Sequence, residues 1–420
     1  MKQRKRGRGV ALGGAGMSKF GAFPGKATRD LFVDAFQNML ASVDNGFDPQ
    51  EIEALYIGNY SSDLFEGQGH TAPIMADWVG LTPRPATRIE DACASSGVAV
   101  REGIIAVASG LYDIVLVGGI EKMTDLPTSE VTDTLATAAD VLYEVPAGFT
   151  FPGLYAAMAT AYMDAYGATP ETFMRVGIKN HENGALNAKA QFGKRIVDIM
   201  ARKKAKAERK GYPIPTWKDE MDFLHDNRAN PTIAWPMRLY DCSPISDGAA
   251  ALLIVSEELA SQFTDAPLHV VGSGQASDAA THDRPTLTGI PAAEKAAQMA
   301  YAMADVTPGD IQVTEVHDCF TIAEIMATED LGFFERGEGW KAAEEGRTAL
   351  RGDRPINTSG GLKSKGHPVG ASGAGQVVEV WKQLRGEAGA RQLEGDIRLG
   401  LTHNVGGTGQ TCAVHIFERR

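Results

Sequence analysis

The chain has 420 residues, with 41 Lys+Arg against 53 Asp+Glu for a net charge of −12, and is 43% hydrophobic and 22% charged. That balance excludes wholesale disorder, leaves room for a large core in roughly two to four domain-sized units, and argues against a dedicated nucleic-acid binder. Four cysteines with no CxxC pair exclude a disulfide framework and give no structural-zinc spacing, so a reducing compartment is expected.

No apolar run approaches the ~18 residues of a membrane-spanning helix. The basic start (Lys2, Arg4, Lys5, Arg6, Arg8) leads into Val10-Ala-Leu, which Gly13-Gly14 interrupts too early for a signal-peptide core. The ending Glu418-Arg419-Arg420 is no peroxisomal address. A cytoplasmic protein without membrane association is expected. Its 47 glycines include the pairs Gly13-Gly14, Gly118-Gly119, Gly360-Gly361 and Gly406-Gly407, placed where backbone must turn tightly or approach a ligand.

In chain order, residues 29–43 carry apolar groups at helical spacing, and 53–59 read as a strand. Residues 96–109 form a nearly all-apolar, buried helix, and Ile114-Val-Leu-Val117 a buried strand running into Gly118-Gly119. From about 125 to 235 strand signals disappear. Aromatics and prolines (Phe149, Phe151, Pro152, Tyr155, Tyr162) precede a basic run from Arg202 to Lys210, read as a solvated helix face on an inserted, mainly helical lobe. Residues 246–256 resume the buried α/β pattern.

A second half begins near Leu268 and repeats the first: helix 292–304, strand 313–316, a glycine-rich turn at 360–375, helix 374–385, strand 398–402 and a last strand at 411–417. The expected fold class is α/β, with helices covering a layered sheet. The expected organisation is 1–124 plus 236–265 as the first half, 125–235 as the insertion, and 266–420 as the second half.

Reactive residue types sit at the strand-end turns. Cys93, in Glu90-Asp-Ala-Cys-Ala-Ser-Ser-Gly97, precedes the buried helix, where the helix dipole and unpaired amides favour thiolate. Burial as a small core residue is the competing reading. Three further clusters are Glu315-Val-His317-Asp-Cys319-Phe320, Lys365-Gly-His367-Pro-Val-Gly370-Ala-Ser-Gly373 and Thr402-His403-Asn404-Val-Gly406-Gly407. Metal ligation fits them poorly, since no zinc spacing or carboxylate set completes a site. Acid–base work beside a nucleophilic thiol fits better, because imidazole and thiol titrate near neutrality. No dinucleotide fingerprint or phosphate loop is present.

Taken together, Asp91-Ala-Cys93-Ala-Ser-Ser-Gly97, Ser246-Asp-Gly-Ala-Ala-Ala251, His317-Asp-Cys319-Phe320 and Gly360-Gly-Leu-Lys-Ser-Lys-Gly366-His367-Pro-Val-Gly-Ala-Ser-Gly373 resemble the thiolase superfamily across nearly the whole chain. The His-Asp-Cys-Phe form and His403-Asn-Val-Gly-Gly407 are similar to the sterol-carrier-protein and archaeal branch. The resemblance implies two βαβαβαββ halves in five layers (αβαβα), an inserted loop domain, and a homodimer or tetramer. It also implies reversible CoA-dependent cleavage of a 3-oxoacyl-CoA, or condensation of two acyl-CoAs.

Within that resemblance Cys93 holds the acyl group, His367 activates it, and Cys319 moves the α-proton. His317 with His367, and the backbone N–H groups of Cys93 and Gly406, face the thioester oxygens. Asn404 stands where the usual second catalytic cysteine would be, in a supporting role. Cys412 reads as core and Cys242 as a loop thiol without an evident partner. No bound cofactor and no metal are implied, only coenzyme A as substrate. A small zinc-ribbon/OB-fold subunit is an implied partner. A thiolase for bulky aromatic or steroid-derived substrates, a non-thiolytic aldolase and a silent acyl-CoA-binding subunit are the alternatives; the presence of Cys93 counts against the aldolase.

Overall fold

Short runs rich in Val, Ile, Leu and Ala, buried on both faces, become the central strands of a computed structural model that describes residues 7–420. Lys2, Arg4, Lys5 and Arg6 of the basic start lie outside the described residues. The strands are β1 (Val10–Met17), β2 (Ala54–Gly58), β3 (Ala86–Ile89), β4 (Ile114–Glu121), β5 (Thr232–Ala234), β6 (Met237–Arg238), β7 (Gly248–Ser256), β8 (Leu268–Ser277), β9 (Val313–Glu315), β10 (Leu399–Gly406) and β11 (Thr411–Arg419). Nine of them form one sheet in the order β3-β2-β4-β7-β1-β8-β11-β10-β9, and β5–β6 is a separate hairpin.

The order carries the duplication. In the first half β2 runs parallel to β4, β4 antiparallel to β7, and β7 antiparallel to β1. In the second, β9 runs parallel to β10, β10 antiparallel to β11, and β11 antiparallel to β8. The halves join where Ala11 and Leu12 pair with His269 and Leu268.

Strand alternation separates the layers. Ile114 and Leu116 of β4, with Leu253 and Val255 of β7, pack on Leu31, Phe32, Phe36 and Met39 of the outer helix Thr28–Leu40. Val115, Val117, Leu252 and Ile254 point the other way, onto Val100, Ile104 and Val107 of the inner helix Ser95–Ala108. That helix meets Val377, Val380, Trp381 and Leu384 of the inner helix Ser372–Leu384. The outer helix Pro291–Ala304 covers Val414 and Ile416 of β11 from the far side. The result is αβαβα, the five layers expected.

Residues between β4 and β7 form the helices Thr128–Ala136, Phe151–Tyr166, Pro170–Ala185, Ile196–Arg209 and Glu220–His225 plus the β5–β6 hairpin. Met174, Ile196, Met200, Phe223 and Leu224 make a small core there. The segment is not self-contained, however. Tyr155, Met158, Tyr162, Phe173 and Val176 are buried against Ile322, Ala323 and Met326 of the second half. The basic run lies on the solvent side of Ile196–Arg209, with Lys204 donating to the Trp217 carbonyl and Lys203 lying 5.0 Å from the Phe223 ring. Among the described residues, no helix is long and apolar enough to cross a membrane.

Candidate active site

The inner helices meet at their N-terminal ends, and glycine permits it. A Cβ on Gly373 would collide with the Gly97 backbone and with Asn404 Oδ1; one on Gly97 would lie 2.6 Å from that same oxygen. Ahead of the first helix, Ala92 adopts φ +49°, a conformation that costs a residue with a Cβ about 1–3 kcal/mol. Hydrogen bonds hold it: Ala92 N–H donates to Glu90 Oε1 (2.7 Å), Asp91 N–H to Ser95 Oγ (2.9 Å), and Ser95 Oγ to Ala92 O (2.6 Å). This strained turn presents Cys93.

Cys93, His317 and His367 come together, each offering a donor atom within 4.8 Å of the others, and all three are buried. The two rings stand edge to face, centroids 5.1 Å apart at 82°. One expectation is corrected here. Burial pushes the Cys93 thiol up to about 12, despite hydrogen bonds from the Gly407 and Cys93 N–H groups that favour thiolate. The helix starts at Ser95, two residues past Cys93, and desolvation outweighs the two backbone hydrogen bonds. Cys93 therefore rests as a thiol.

His367 is anchored by its backbone N–H on Ser246 Oγ (2.8 Å) and by Nδ1 on Ser372 Oγ (2.7 Å). Ser372 sends its own proton to the Pro368 carbonyl (2.9 Å). It can then only accept from His367, so Nδ1 carries the hydrogen and Nε2 keeps a free lone pair. Burial, with nearby Lys365, pulls His367 down to about 3, so the ring is neutral. A neutral imidazole with a bare nitrogen beside a protonated thiol is set to take its proton.

Cys319 is buried, and burial raises its thiol well above the ordinary value. It shares a hydrogen bond with the Tyr155 hydroxyl, which also donates to Gly407 O (3.2 Å). The Tyr155 ring stacks on Phe320 at 4.6 Å. Tyr155 links the lobe to the second thiol and to the Gly407 backbone, a role that its place among several aromatics of the lobe does not signal in the sequence. Gly407 N–H meets the Cys93 sulfur, a contact separate from the oxyanion role expected of Gly406. At Gly406 a Cβ would lie 2.5 Å from Asp91 O, so glycine lets β10 approach the Cys93 turn.

His403 and Asn404 lie inside β10, which continues past the expected end at 402 because it stays paired with β11 through His403–Val414 and Asn404–Ala413. His403 Nδ1 accepts from His317 N–H (3.3 Å), and Asn404 bridges Gly97, Cys93 and His317. Asp318 fastens the His317–Phe320 turn to residues 361–365, accepting from Leu362 N–H (2.6 Å), Lys363 N–H (3.3 Å) and Asn180 Nδ2 (2.8 Å). Burial next to Glu324 lifts Asp318 to about 7. Asp247 ties Lys122 (3.0 Å) and the Phe23, Met123 and Thr124 amides. Cys412 is fully buried in β11, and Cys242 finds a partner in the Arg238 carbonyl (3.3 Å).

A family model for the thiolase N-terminal domain matches residues 10–258, and one described as thiolase C-terminal domain-like matches 273–419. The chain belongs to the thiolase family. Thiolases are acyltransferases, and this one is similar along its length to an acetyl-CoA acetyltransferase of Methanothermobacter thermautotrophicus, with 47% identity over 98% of this chain and 100% of the relative. Among solved structures, an Ltp2-ChsH2(DUF35) aldolase superposes with TM-score 0.78 at 24% identity, over 98% of each chain. Human mitochondrial 3-ketoacyl-CoA thiolase superposes with TM-score 0.68 at 16% identity, over 98% of this chain and 99% of that one. At those identities the two structures speak for the fold alone, and the thiolase fold is what they share with this chain.

Proposed function

We propose that this thiolase interconverts a short 3-oxoacyl-CoA plus CoA with two acyl-CoAs, acetyl groups being the first substrates to test. The observation that carries the reading is the buried Cys93–His317–His367 cluster, its donor atoms within 4.8 Å of one another, with a second buried thiol, Cys319, close enough for the charge of Cys93 to act on it. In the condensing direction His367 takes the Cys93 proton as sulfur attacks the thioester carbon, and CoA leaves with a proton. That proton comes from the Cys319 thiol; the Cys319 thiolate so formed accepts the α-proton of the second acyl-CoA, whose carbon attacks the acyl-enzyme, and Cys93 leaves as thiolate and recovers its proton from His367. His317, and His367 once it carries the Cys93 proton on Nε2, donate to the oxygen that becomes enolate-like, and the Cys93 and Gly406 amides to the tetrahedral oxyanion, with Gly407 holding the thiol. Thiolysis is the reverse.

Coenzyme A enters as substrate, and the reading needs no bound cofactor. A cytoplasmic homodimer or tetramer belongs to the proposal. So does a small zinc-ribbon/OB-fold subunit, supported by the structural neighbour Ltp2-ChsH2(DUF35) aldolase, which pairs a thiolase-fold chain with a DUF35 protein. The test mixes enzyme, acetoacetyl-CoA and CoA and follows acetyl-CoA, then extends to larger and aromatic 3-oxoacyl-CoAs. Acetyl-CoA release with transient label on Cys93 is expected. No turnover across the panel, with Cys93 unlabelled, overturns the reading.

A further inference from the structure

We infer that Asn404 is a positioning residue that holds His317 as an Nε2–H donor and keeps the Cys93–His317–His367 cluster from binding a transition metal. The inference deepens the proposed function, on which its catalytic half rests. Two backbone groups of unambiguous character fix the Asn404 amide. Gly97 N–H can only donate, and it meets Oδ1 at 3.2 Å; Cys93 C=O can only accept, and it meets Nδ2 at 3.0 Å. The second hydrogen of Nδ2 is thereby aimed at His317 Nδ1, 3.1 Å away. Nδ1 must accept, so the single hydrogen of the neutral ring sits on Nε2, which is buried with no hydrogen-bond partner in the protein. Ser372 sets His367 the opposite way, Nδ1–H with a bare Nε2. Two edge-to-face histidines are thus prepared as one donor and one acceptor.

The same proton pattern decides a competing chemistry. A cysteine and two histidines within 4.8 Å are a sufficient protein set for zinc, which needs a lone pair from each nitrogen ligand. His367 has one to give. His317 has none, because Asn404 occupies Nδ1 and the hydrogen occupies Nε2. Freeing Nε2 would bring Nδ1–H against the Asn404 N–H, two donors face to face. The lock therefore equips His317 to stabilise an oxyanion and at once disarms it as a ligand.

The experiment compares the full-length enzyme with Asn404→Asp, whose carboxylate accepts from Nδ1–H and so favours the ligating tautomer, and with Asn404→Ala, which leaves Nδ1 free. Zn²⁺ affinity is measured by competition with a chromogenic chelator, and Co²⁺ by its thiolate charge-transfer absorption. Expected are Zn²⁺ binding at least ~10-fold tighter in both variants, a cobalt–thiolate band absent from wild type, and loss of the gain when His317→Ala is added. Turnover should fall ~10²-fold, as for loss of an oxyanion donor, while acyl-CoA still labels Cys93. Unchanged metal affinity in both variants, or a gain that survives His317→Ala, overturns the inference. A metal gain in an enzyme that turns over no 3-oxoacyl-CoA upholds the tautomer lock and sinks the thiolase reading; normal turnover with unchanged metal binding does the reverse.

Discussion

The two halves share strand order and helix placement, yet their equivalent turns carry different chemistry. In the first half the turn before Ser95–Ala108 presents a sulfur, Cys93, on a strained backbone. In the second, the turn before Ser372–Leu384 presents a nitrogen, His367, and the turn after β9 adds His317 and Cys319. The repeated strand orders β2-β4-β7-β1 and β9-β10-β11-β8 bring both helix N-termini to one point, packed through Gly97 and Gly373. Duplication supplies the convergence, and divergence of a few turn residues supplies a nucleophile on one side and its proton handlers on the other.

The sharpest way to break that division is to remove the sulfur. Cys93→Ser should lower turnover by about 10⁴-fold or more, as loss of a nucleophile does, with no acyl adduct by intact mass after mixing with acyl-CoA. Removing the second-half thiol separates the steps. Cys319→Ala should still acquire the adduct but complete transfer about 10²–10⁴-fold more slowly, the range of general acid–base catalysis. An adduct on Cys319 with Cys93 unmodified would reverse the assignment of the halves.

The pH response tests whether the halves act as a neutral pair. With Cys93 at about 12 and His367 at about 3, both are uncharged throughout pH 6–9. Alkylation of Cys93 by iodoacetamide, assisted by His367, should stay level across that window, whereas a free thiol speeds up about tenfold per pH unit below ~8.5. His367→Ala should slow it about 10²-fold and restore a rise with pH. A wild-type inflection near pH 8.5 would mean the thiol is not held protonated by burial.

The seam is the next target. Gly97→Ala sets a methyl against Asn404 and should destabilise the fold by about 1–3 kcal/mol, read from the denaturant midpoint, with turnover lowered as Asn404 shifts. The smallest effect is expected at the lobe. Tyr155→Phe removes one hydroxyl shared by Gly407 O and Cys319 and should cost about 2–10-fold in turnover, the size of one hydrogen bond, with stability little changed. Unaltered kinetics would leave Tyr155 a packing residue only.

Local pattern determined much of this protein. Apolar runs long enough to be buried on both faces marked β4 and the inner helices to within a few residues, because burial imposes its periodicity on neighbouring positions. Reactive residue types at strand-to-helix turns marked Cys93, His317, Cys319 and His367, and four motifs in order marked the family. The tertiary structure decided what those residues are. Asn404 meets Cys93 across 311 positions of chain, and Tyr155 meets Gly407 across 252, distances at which no spacing rule operates. The same separation hid the union of the helices Phe151–Tyr166 and Pro170–Ala185 with the second half's core. It also hid the state of Cys93. A helix end argues for thiolate, but protonation follows from the water excluded by surrounding elements, and that exclusion belongs to the packed whole.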